Sequence, residues 1–226
     1  MNKKPRNLIA ELESDLISAA NHELAIPMAG YMKNNFLFLG IKQPERKKLA
    51  SQFLKKAGLL DNKEILDIAD ALWEKKEREF QYIALELLYN SRKKWDNNFL
   101  PFFLGLVTRK PWWDTVDFIA TKLIGDSLAQ VTEPEEMKRF TASADLWENR
   151  TAILFQLNYK EKTDARFLYR IIRRLLHKKD FFIQKAIGWS LRQYYRTDPR
   201  SVEEFVEAAG ITGLARREAI KHARGK

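Results

Sequence analysis

Trp113 and Asp117 are the two residues whose types and spacing most directly suggest chemistry. They lie in the segment Trp112-Trp113-Asp114-Thr115-Val116-Asp117, directly after Lys110-Pro111. Proline is tolerated in the first turn of a helix, so a helix is predicted to begin here. Residues four apart share a helix face, which places an indole beside a carboxylate. The ordinary interpretation is a core tryptophan and an aspartate that favours the helix dipole. The alternative is a carboxylate and a π surface that stabilise a developing positive charge.

The charge balance of the chain indicates what kind of partner it binds. The 226 residues include 40 lysines and arginines against 30 aspartates and glutamates, a net charge of +10. The isoelectric point is about 9.6. Such an excess favours a polyanionic partner, most simply nucleic acid. A generally basic, solvated surface is the alternative that charge alone leaves open.

The residue types that bind metals and form disulfides are scarce. The chain has no cysteine, and its only histidines are His22, His177 and His222. Disulfides and thiolate metal sites are therefore excluded, and the histidines lack metal-binding spacing. We predict no metal and no cofactor, and we interpret the histidines as surface or capping residues. The longest apolar run, residues 99–107, is too short to span a bilayer, so a cytoplasmic protein is expected.

Helical periodicity recurs along nearly the whole chain, and no stretch shows sustained strand alternation. Proline and glycine mark many predicted ends, as in a helix from Pro44 to Gly58 and a short helix over 27–35 that Gly40 terminates. Asp145 is predicted to cap a later helix. The helical pattern that opens after Pro111 is predicted to run through Leu123, and a last helix is predicted from about Leu214 to Ala223. Helix pairs recur at roughly the period of HEAT or armadillo repeats. The prediction is an all-α fold, a curved α-solenoid of HEAT-like repeats that forms one domain over residues 1–226.

A weak internal similarity supports the repeat interpretation. The segments Glu79-Phe80-Gln81-Tyr82, Glu148-Asn149-Arg150 and Ile183-Gln184-Lys185 each begin the predicted second helix of a pair. Each places an amide-bearing residue and then a larger polar residue ahead of an apolar run. Equivalent helices of a solenoid stack beside one another, so side chains on these second helices could line one groove.

The predicted second helices carry an unusual combination of side chains. One helix bears Trp113 and Asp117, and the next bears Arg150. The following helix bears Lys185, Trp189 and Arg192, which share a face because their offsets are four and three.

These residue types suit a DNA site. Arginine and lysine bind phosphate, and indoles stack on bases or sugars. A carboxylate is repelled by phosphate, so its presence in a basic groove suggests a chemical task. Cleavage of a glycosidic bond passes through a cationic, oxocarbenium-like sugar, which an aspartate and indole faces would stabilise. The sequence contains neither a Gly-rich phosphate loop nor a G-x-S-x-G motif, so no such motif indicates another chemistry.

The sequence resembles the AlkD family of DNA alkylation repair proteins, the HEAT-like-repeat DNA glycosylases, over essentially its full length. The resemblance depends on six segments taken in order. These are Pro-Met-Ala-Gly-Tyr-Met-Lys-Asn-Asn-Phe-Leu-Phe-Leu-Gly (27–40), Glu-Arg-Glu-Phe-Gln (77–81), Trp-Trp-Asp-Thr-Val-Asp (112–117), Arg-Thr-Ala-Ile-Leu-Phe-Gln-Leu (150–157), Phe-Phe-Ile-Gln-Lys-Ala-Ile-Gly-Trp (181–189) and Arg-Glu-Ala-Ile-Lys-His (217–222).

The resemblance implies a solenoid that cradles duplex DNA and begins base excision repair. The activity it implies is removal of N3- and N7-alkylated purines, chiefly N3-methyladenine and N7-methylguanine, without flipping the lesion into a pocket. It implies that Asp117 is catalytic, with Trp113 and Trp189 as the key tryptophans. The resemblance also implies that Arg150, Arg192 and Tyr31 contact DNA in the groove. Lys185 is added to them because it shares a helix face with Arg192. A monomer with no obligate protein partner is expected.

One departure and two rival functions accompany this interpretation. Position 30 is glycine, where relatives carry a larger basic residue before the tyrosine. One rival is a HEAT-repeat protein that binds DNA without catalysis, and the other is a protein-binding scaffold of the same fold.

Of the remaining tryptophans, Trp112 is predicted to be buried, and Trp73, Trp95 and Trp147 are predicted to pack in the core or against the surface.

Overall fold

The computed structural model describes residues 3–221 of the chain, and most of these residues lie in helices. No strand forms among them, and one isolated β-bridge joins Leu37 to Glu77. The α-helices are α1 (Lys3–Ser18), α2 (His22–Tyr31), α3 (Gln43–Ala57), α4 (Asn62–Trp73), α5 (Arg78–Asn90), α6 (Phe99–Leu106), α7 (Trp113–Phe118), α8 (Gly125–Leu128), α9 (Glu135–Ala142), α10 (Leu146–Leu154), α11 (Ala165–Leu175), α12 (Phe181–Tyr195), α13 (Pro199–Ala208) and α14 (Gly213–Ala219). A π-helix, Ile119–Ile124, joins α7 to α8.

The predicted all-α helical-repeat fold is confirmed. Short 3₁₀ turns, Arg92–Lys94 and Lys160–Lys162, complete the connections between the longer helices. Two predictions fall outside the described residues: the surface or capping role of His222 and the end of the last helix near Ala223. No helix within residues 3–221 combines the length and apolar character that a membrane crossing requires.

The chain divides into two compact units, Met1–Phe99 and Leu100–Lys226. Each unit buries its own apolar side chains, such as Leu16 and Trp73 in the first and Phe103 and Leu123 in the second. Burial of this surface is the main source of stability for helices that are each only a few turns long. A single domain over residues 1–226 stays a prediction.

Five of the fourteen α-helix starts within residues 3–221 follow from local hydrogen bonding by an aspartate at the N-cap. The aspartate side chains at α4, α10, α11, α12 and α13 accept hydrogen bonds from backbone N–H groups of the first turn. These bonds satisfy donors that have no partner within the helix. Asp145, predicted to cap its helix, accepts from the N–H groups of Trp147 and Glu148 at 2.8 and 2.9 Å.

The predicted helix over residues 27–35 is wrong in its boundaries. The helix is α2 (His22–Tyr31), and it begins where the side chain of Asn21 accepts a hydrogen bond from Leu24 N. Pro27 therefore lies inside the helix, where its ring removes one backbone donor. Gly40 is not the helix terminus, although its φ of 83° does need glycine. The capping side chain, rather than the proline, marks the start of this helix.

The amide residues that suggested a repeat have a shared structural role. Gln81 Nε2 donates to the carbonyls of Trp73 and Lys75 at 3.0 and 2.8 Å, just after α4. Asn149 Nδ2 donates to Phe140 O at 2.7 Å and to Ser143 O at 3.1 Å, where α9 ends. Gln184 Nε2 makes the equivalent bond beyond α11, to Lys178 O at 2.8 Å. Each amide thus satisfies carbonyl groups at the end of the first helix of its pair.

Candidate functional site

The second helices of the second unit pack in sequence. Helix α10 contacts α7 on one side and α12 on the other. Asp117 lies on α7, Arg150 on α10, and Lys185 with Trp189 and Arg192 on α12. The candidate residues of this unit therefore lie on three successive neighbouring helices.

The side chains of Arg150 and Asp117 form a two-point ion pair across the α7–α10 interface. Arg150 Nε donates to Asp117 Oδ1 at 2.7 Å, and Nη2 donates to Oδ2 at 2.8 Å. Only 6% of the arginine side chain and 16% of the aspartate side chain are exposed. Parallel hydrogen bonds of this kind orient a carboxylate as well as neutralise it. The sequence suggested that both residues belong to one site, but not that they bind each other.

Two opposing influences act on the ionisation of Asp117. Burial is the larger, and it raises the pKa of the carboxyl above its ordinary value. The hydrogen bonds and the charge of Arg150 lower the same pKa, and the nearby carboxylate of Asp114 raises it slightly. Asp117 therefore takes up a proton at a higher pH than an exposed aspartate does, and it depends on Arg150 to stay ionised.

Arg150 also binds α12, so it joins three helices. Its Nη1 donates to the carbonyl of Phe182 at 2.5 Å, and its guanidinium carbon lies 5.8 Å from the centre of the Phe182 ring. The Phe182 ring packs against Trp112 and Trp147, with ring centres 5.2 and 5.1 Å away. Trp147 is buried, as predicted, whereas Trp112 is only half-buried. This aromatic cluster supports the backbone that holds Arg150.

Trp113 and Trp189 are both half-buried, so part of each indole faces solvent. Trp113 is the first residue of α7 and lies four positions before Asp117. Trp189 lies on α12 between Lys185 and Arg192. A partly exposed indole can pack against a ligand while it stays anchored in the protein.

Lys185 and Arg192 share one carboxylate. Lys185 Nζ donates to Glu218 Oε1 at 2.9 Å, and Arg192 Nη1 donates to Glu218 Oε2 at 2.5 Å. The bond from Lys185, with smaller contributions from Arg192, holds the pKa of Glu218 below its ordinary value. The three groups together carry one net positive charge. The predicted common face of Lys185 and Arg192 is confirmed, and their acidic partner is a finding.

Gly188 makes the contact between α12 and α14 possible. A Cβ at this position would lie 2.4 Å from the Cβ of Glu218 and 2.8 Å from the carbonyl oxygen of Ala215. Both distances are far shorter than normal van der Waals contact. The glycine allows α14 to approach α12 and places Glu218 between the two cations.

Tyr31 lies in the first unit, at the end of α2, with 69% of its surface exposed. A Cβ at the neighbouring Gly30 would meet no atom within 4 Å. A larger residue would fit there, so glycine is not required for packing, and it leaves position 30 without a side chain that could contact a ligand.

The remaining tryptophans have the packing roles that the sequence predicts. Trp73 is fully buried. Trp95 Nε1 donates to Leu88 O at 3.0 Å. A basic run also lies at the end of α11 and after it, formed by Arg173-Arg174 and His177-Lys178-Lys179. Within it, Lys178 binds the side-chain oxygen of Asn149, whereas Arg174 is exposed.

Sequence reasoning missed two partners of the candidate residues: the Phe182 carbonyl and Glu218. A backbone carbonyl carries no sequence signal. Glu218 lies in one of the segments on which the resemblance depends, but its separation of 33 residues from Lys185 does not predict a contact.

The fold and the site define a helical-repeat protein in which three stacked helices present a paired carboxylate, indoles and cations. A model of the family described as DNA alkylation repair enzyme matches residues 12–223. The chain belongs to this family, which gives it a role in DNA repair as an enzyme that acts on DNA.

A solved structure agrees with this assignment. It is described as a predicted DNA alkylation repair enzyme from Enterococcus faecalis, and it is 36% identical to this chain. The match covers 92% of this chain and 98% of that one, with a TM-score of 0.83. No curated protein matches the sequence.

Proposed function

We propose that the protein is an AlkD-type DNA glycosylase that excises cationic N3- and N7-alkylated purines from duplex DNA. It acts as a monomer, needs no metal or cofactor, and leaves an abasic site for base excision repair. The observation that carries the proposal is the Asp117 carboxylate, held by Arg150 at a partly exposed position on the helix that also bears Trp113.

The reaction requires little beyond stabilisation of a cationic sugar. Alkylation at N3 or N7 gives the purine a positive charge and weakens its bond to C1′ of deoxyribose. When that bond breaks, its electron pair leaves with the base, which becomes neutral, and the sugar becomes an oxocarbenium-like cation. Water then adds to C1′ and loses a proton. A carboxylate beside the sugar favours this transition state over the neutral ground-state sugar.

Asp117 is suited to this task because its orientation is fixed before substrate binds. Each carboxylate oxygen accepts one bond from Arg150 and keeps further lone-pair capacity. Arg150 keeps the carboxyl ionised in spite of its burial. A preoriented charge in a partly dry site stabilises a developing cation more than a mobile, hydrated one does.

The indoles and the other cations have supporting roles in the proposal. Trp113 and Trp189 offer π surfaces that attract a cationic sugar or base. Lys185 and Arg192 contact the phosphate backbone, with Tyr31 as an additional DNA contact. Arg150 is buried and bound to Asp117 and Phe182, so it acts through the carboxylate rather than on DNA. Without a closed base pocket, selectivity comes from the positive charge of the lesion, which sets how readily the base departs.

The test is single-turnover release of N3-methyladenine and N7-methylguanine from methylated duplex DNA. Wild type should release both bases, and Asp117→Asn should be slower by about 10²- to 10³-fold, as for loss of one preorganised electrostatic group. Asp15→Asn, an exposed change of the same type on α1, is the matched control and should match wild type. DNA binding by all three proteins should be similar in a parallel gel shift.

Two outcomes would contradict the proposal in different ways. Release by Asp117→Asn at the wild-type rate would remove Asp117 from the mechanism. No release by wild type, with DNA binding intact, would favour the rival function of a DNA-binding protein without glycosylase activity.

A further inference from the structure

The backbone changes its helical geometry directly after Asp117. Helix α7 ends at Phe118, and residues Ile119–Ile124 form a π-helix that leads into α8. The helical pattern predicted through Leu123 is helical in the structure, but its second part has π geometry, which the sequence pattern did not predict. Wider π-turns are rare and often occur at functional sites, since the extra residue breaks the α-helical ladder.

The π-helix separates the face that bears Asp117 from the face that packs in the core. Asp117 is partly exposed, whereas Ile119, Ala120, Leu123 and Ile124 are fully buried. One additional residue in a turn rotates all later side chains about the helix axis. In this one continuous segment, Asp117 is directed to Arg150 on α10, and the residues that follow it are anchored inside.

Side chains, rather than the helix alone, bind several carbonyl groups of this segment. Thr121 Oγ1 donates to Asp117 O at 2.7 Å. Asn158 Nδ2 donates to Thr121 O at 3.0 Å, and the Tyr159 hydroxyl donates to Gly125 O at 2.6 Å. The last two donors come from the turn that directly follows α10, the helix that bears Arg150.

Close packing brings this turn against the π-helix. A Cβ at Gly125 would lie 2.6 Å from the carbonyl oxygen of Phe155, where α10 ends. The Tyr159 ring packs edge-on against Phe155, with ring centres 5.9 Å apart. Burial raises the pKa of Tyr159 far above its ordinary value, so its hydroxyl remains a donor at any working pH. Gly125 thus leaves room for the turn after α10, and two donors from that turn bind the segment that follows Asp117.

We propose that Asn158 and Tyr159 are positioning residues for Asp117, which they hold in register by fixing the π-helix behind it. This inference rests on the proposed function. Helix α10 and its following turn then secure Asp117 from two sides. Arg150 binds the carboxylate, while Asn158 and Tyr159 bind the backbone that carries it.

The test compares Tyr159→Phe, which removes only the hydroxyl, and Asn158→Leu, which removes the whole amide of an exposed side chain, with Tyr169→Phe. The control removes a comparably half-buried hydroxyl in the same unit, one that bonds to Ser201 Oγ at 2.8 Å. Single-turnover excision at saturating enzyme and DNA affinity are measured for each. We expect each donor variant to excise about tenfold more slowly, because small misplacements of catalytic groups are costly. DNA affinity should stay within about twofold, and the control should match wild type, as for a change remote from the reacting groups.

The result that overturns the inference is excision at the wild-type rate by both donor variants. An equal loss of DNA affinity and excision rate would also overturn it, because that pattern indicates a general disturbance. The two variants remove separate hydrogen bonds. If one of them fails to fold, the excision rate of the other still tests the inference.

A second measurement separates this inference from the proposed function. The ionisation of Asp117 is followed by ¹³C NMR of its carboxyl carbon in the protein without DNA. A moved midpoint in Tyr159→Phe, with no movement in Tyr169→Phe, would support the positioning role even if wild type excised nothing. If wild type excises nothing and the Asp117 titration midpoint is unchanged in Tyr159→Phe, the positioning role is overturned as well. The lack of excision by wild type overturns only the proposed function.

Discussion

Arg150 donates two parallel hydrogen bonds to Asp117, at 2.7 and 2.8 Å, and a third bond to the carbonyl of Phe182 on the next helix. The carboxylate proposed as catalytic is therefore already oriented and charge-paired before DNA arrives. The same arginine ties α7 to α12 through α10. The proposed chemistry and the packing of the three helices thus both depend on the Arg150 guanidinium.

The first prediction concerns the pH dependence of excision. Asp117 stabilises a cation only when ionised, and burial raises its pKa above the ordinary value. As pH falls through this raised pKa, the carboxyl takes up a proton and excision slows. The loss should begin at a higher pH than for an exposed aspartate. Single-turnover release of N7-methylguanine, corrected for release without enzyme, checks this, and a flat acid limb would contradict it.

The second prediction concerns removal of the pair's cation. Arg150→Ala takes away the bonds that lower the pKa of Asp117, so the acid limb of the excision profile should move to higher pH. Folding stability should fall by about 3–5 kcal/mol, since a largely buried carboxylate loses its partner. Urea denaturation and the pH profile measure the two effects. Arg200→Ala, which breaks an exposed pair with Glu204, is the matched control and should leave both nearly unchanged.

The third prediction is that Glu218→Gln strengthens DNA binding. The carboxylate neutralises part of the charge of Lys185 and Arg192, so its removal leaves both cations for phosphate. We expect about threefold tighter binding, a free-energy gain in the range of exposed ion pairs, and a steeper dependence of affinity on salt. Glu207→Gln, which releases Arg216 on a neighbouring surface, is the control. Weaker binding by Glu218→Gln would instead mean that Glu218 orients the cations.

The fourth prediction concerns the contact between α12 and α14. Gly188→Ala should destabilise the protein by about 1–3 kcal/mol, because the new methyl group overlaps Glu218 and the Ala215 backbone. Gly105→Ala, in helix α6 with open space around it, should instead gain about 0.5–1 kcal/mol from helix propensity. Chemical denaturation of the two variants, measured beside wild type, gives the change in the free energy of unfolding for each. Equal effects would show that α14 moves aside without cost.

The sequence by itself determined the features that depend on neighbouring residues. Helical periodicity predicted the all-α repeat fold, and the capping aspartates, such as Asp145, marked where helices begin. The amides Gln81, Asn149 and Gln184 form a repeated pattern that is visible in the sequence alone. Helix-face spacing also predicted correctly that Lys185 and Arg192 lie together. Each of these rests on interactions within a few residues or on one face of a single helix, which a local pattern encodes.

The tertiary structure alone decided which candidate residues bind one another. The partners Asp117 and Arg150 are 33 residues apart, and Arg192 and Glu218 are 26 residues apart. Such contacts depend on how closely whole helices approach, which Gly125 and Gly188 control by leaving room for a neighbouring backbone or side chain. The π-helix after Asp117 is likewise stabilised from outside, by Asn158 and Tyr159. Packing selects these geometries among several that the local sequence permits equally well.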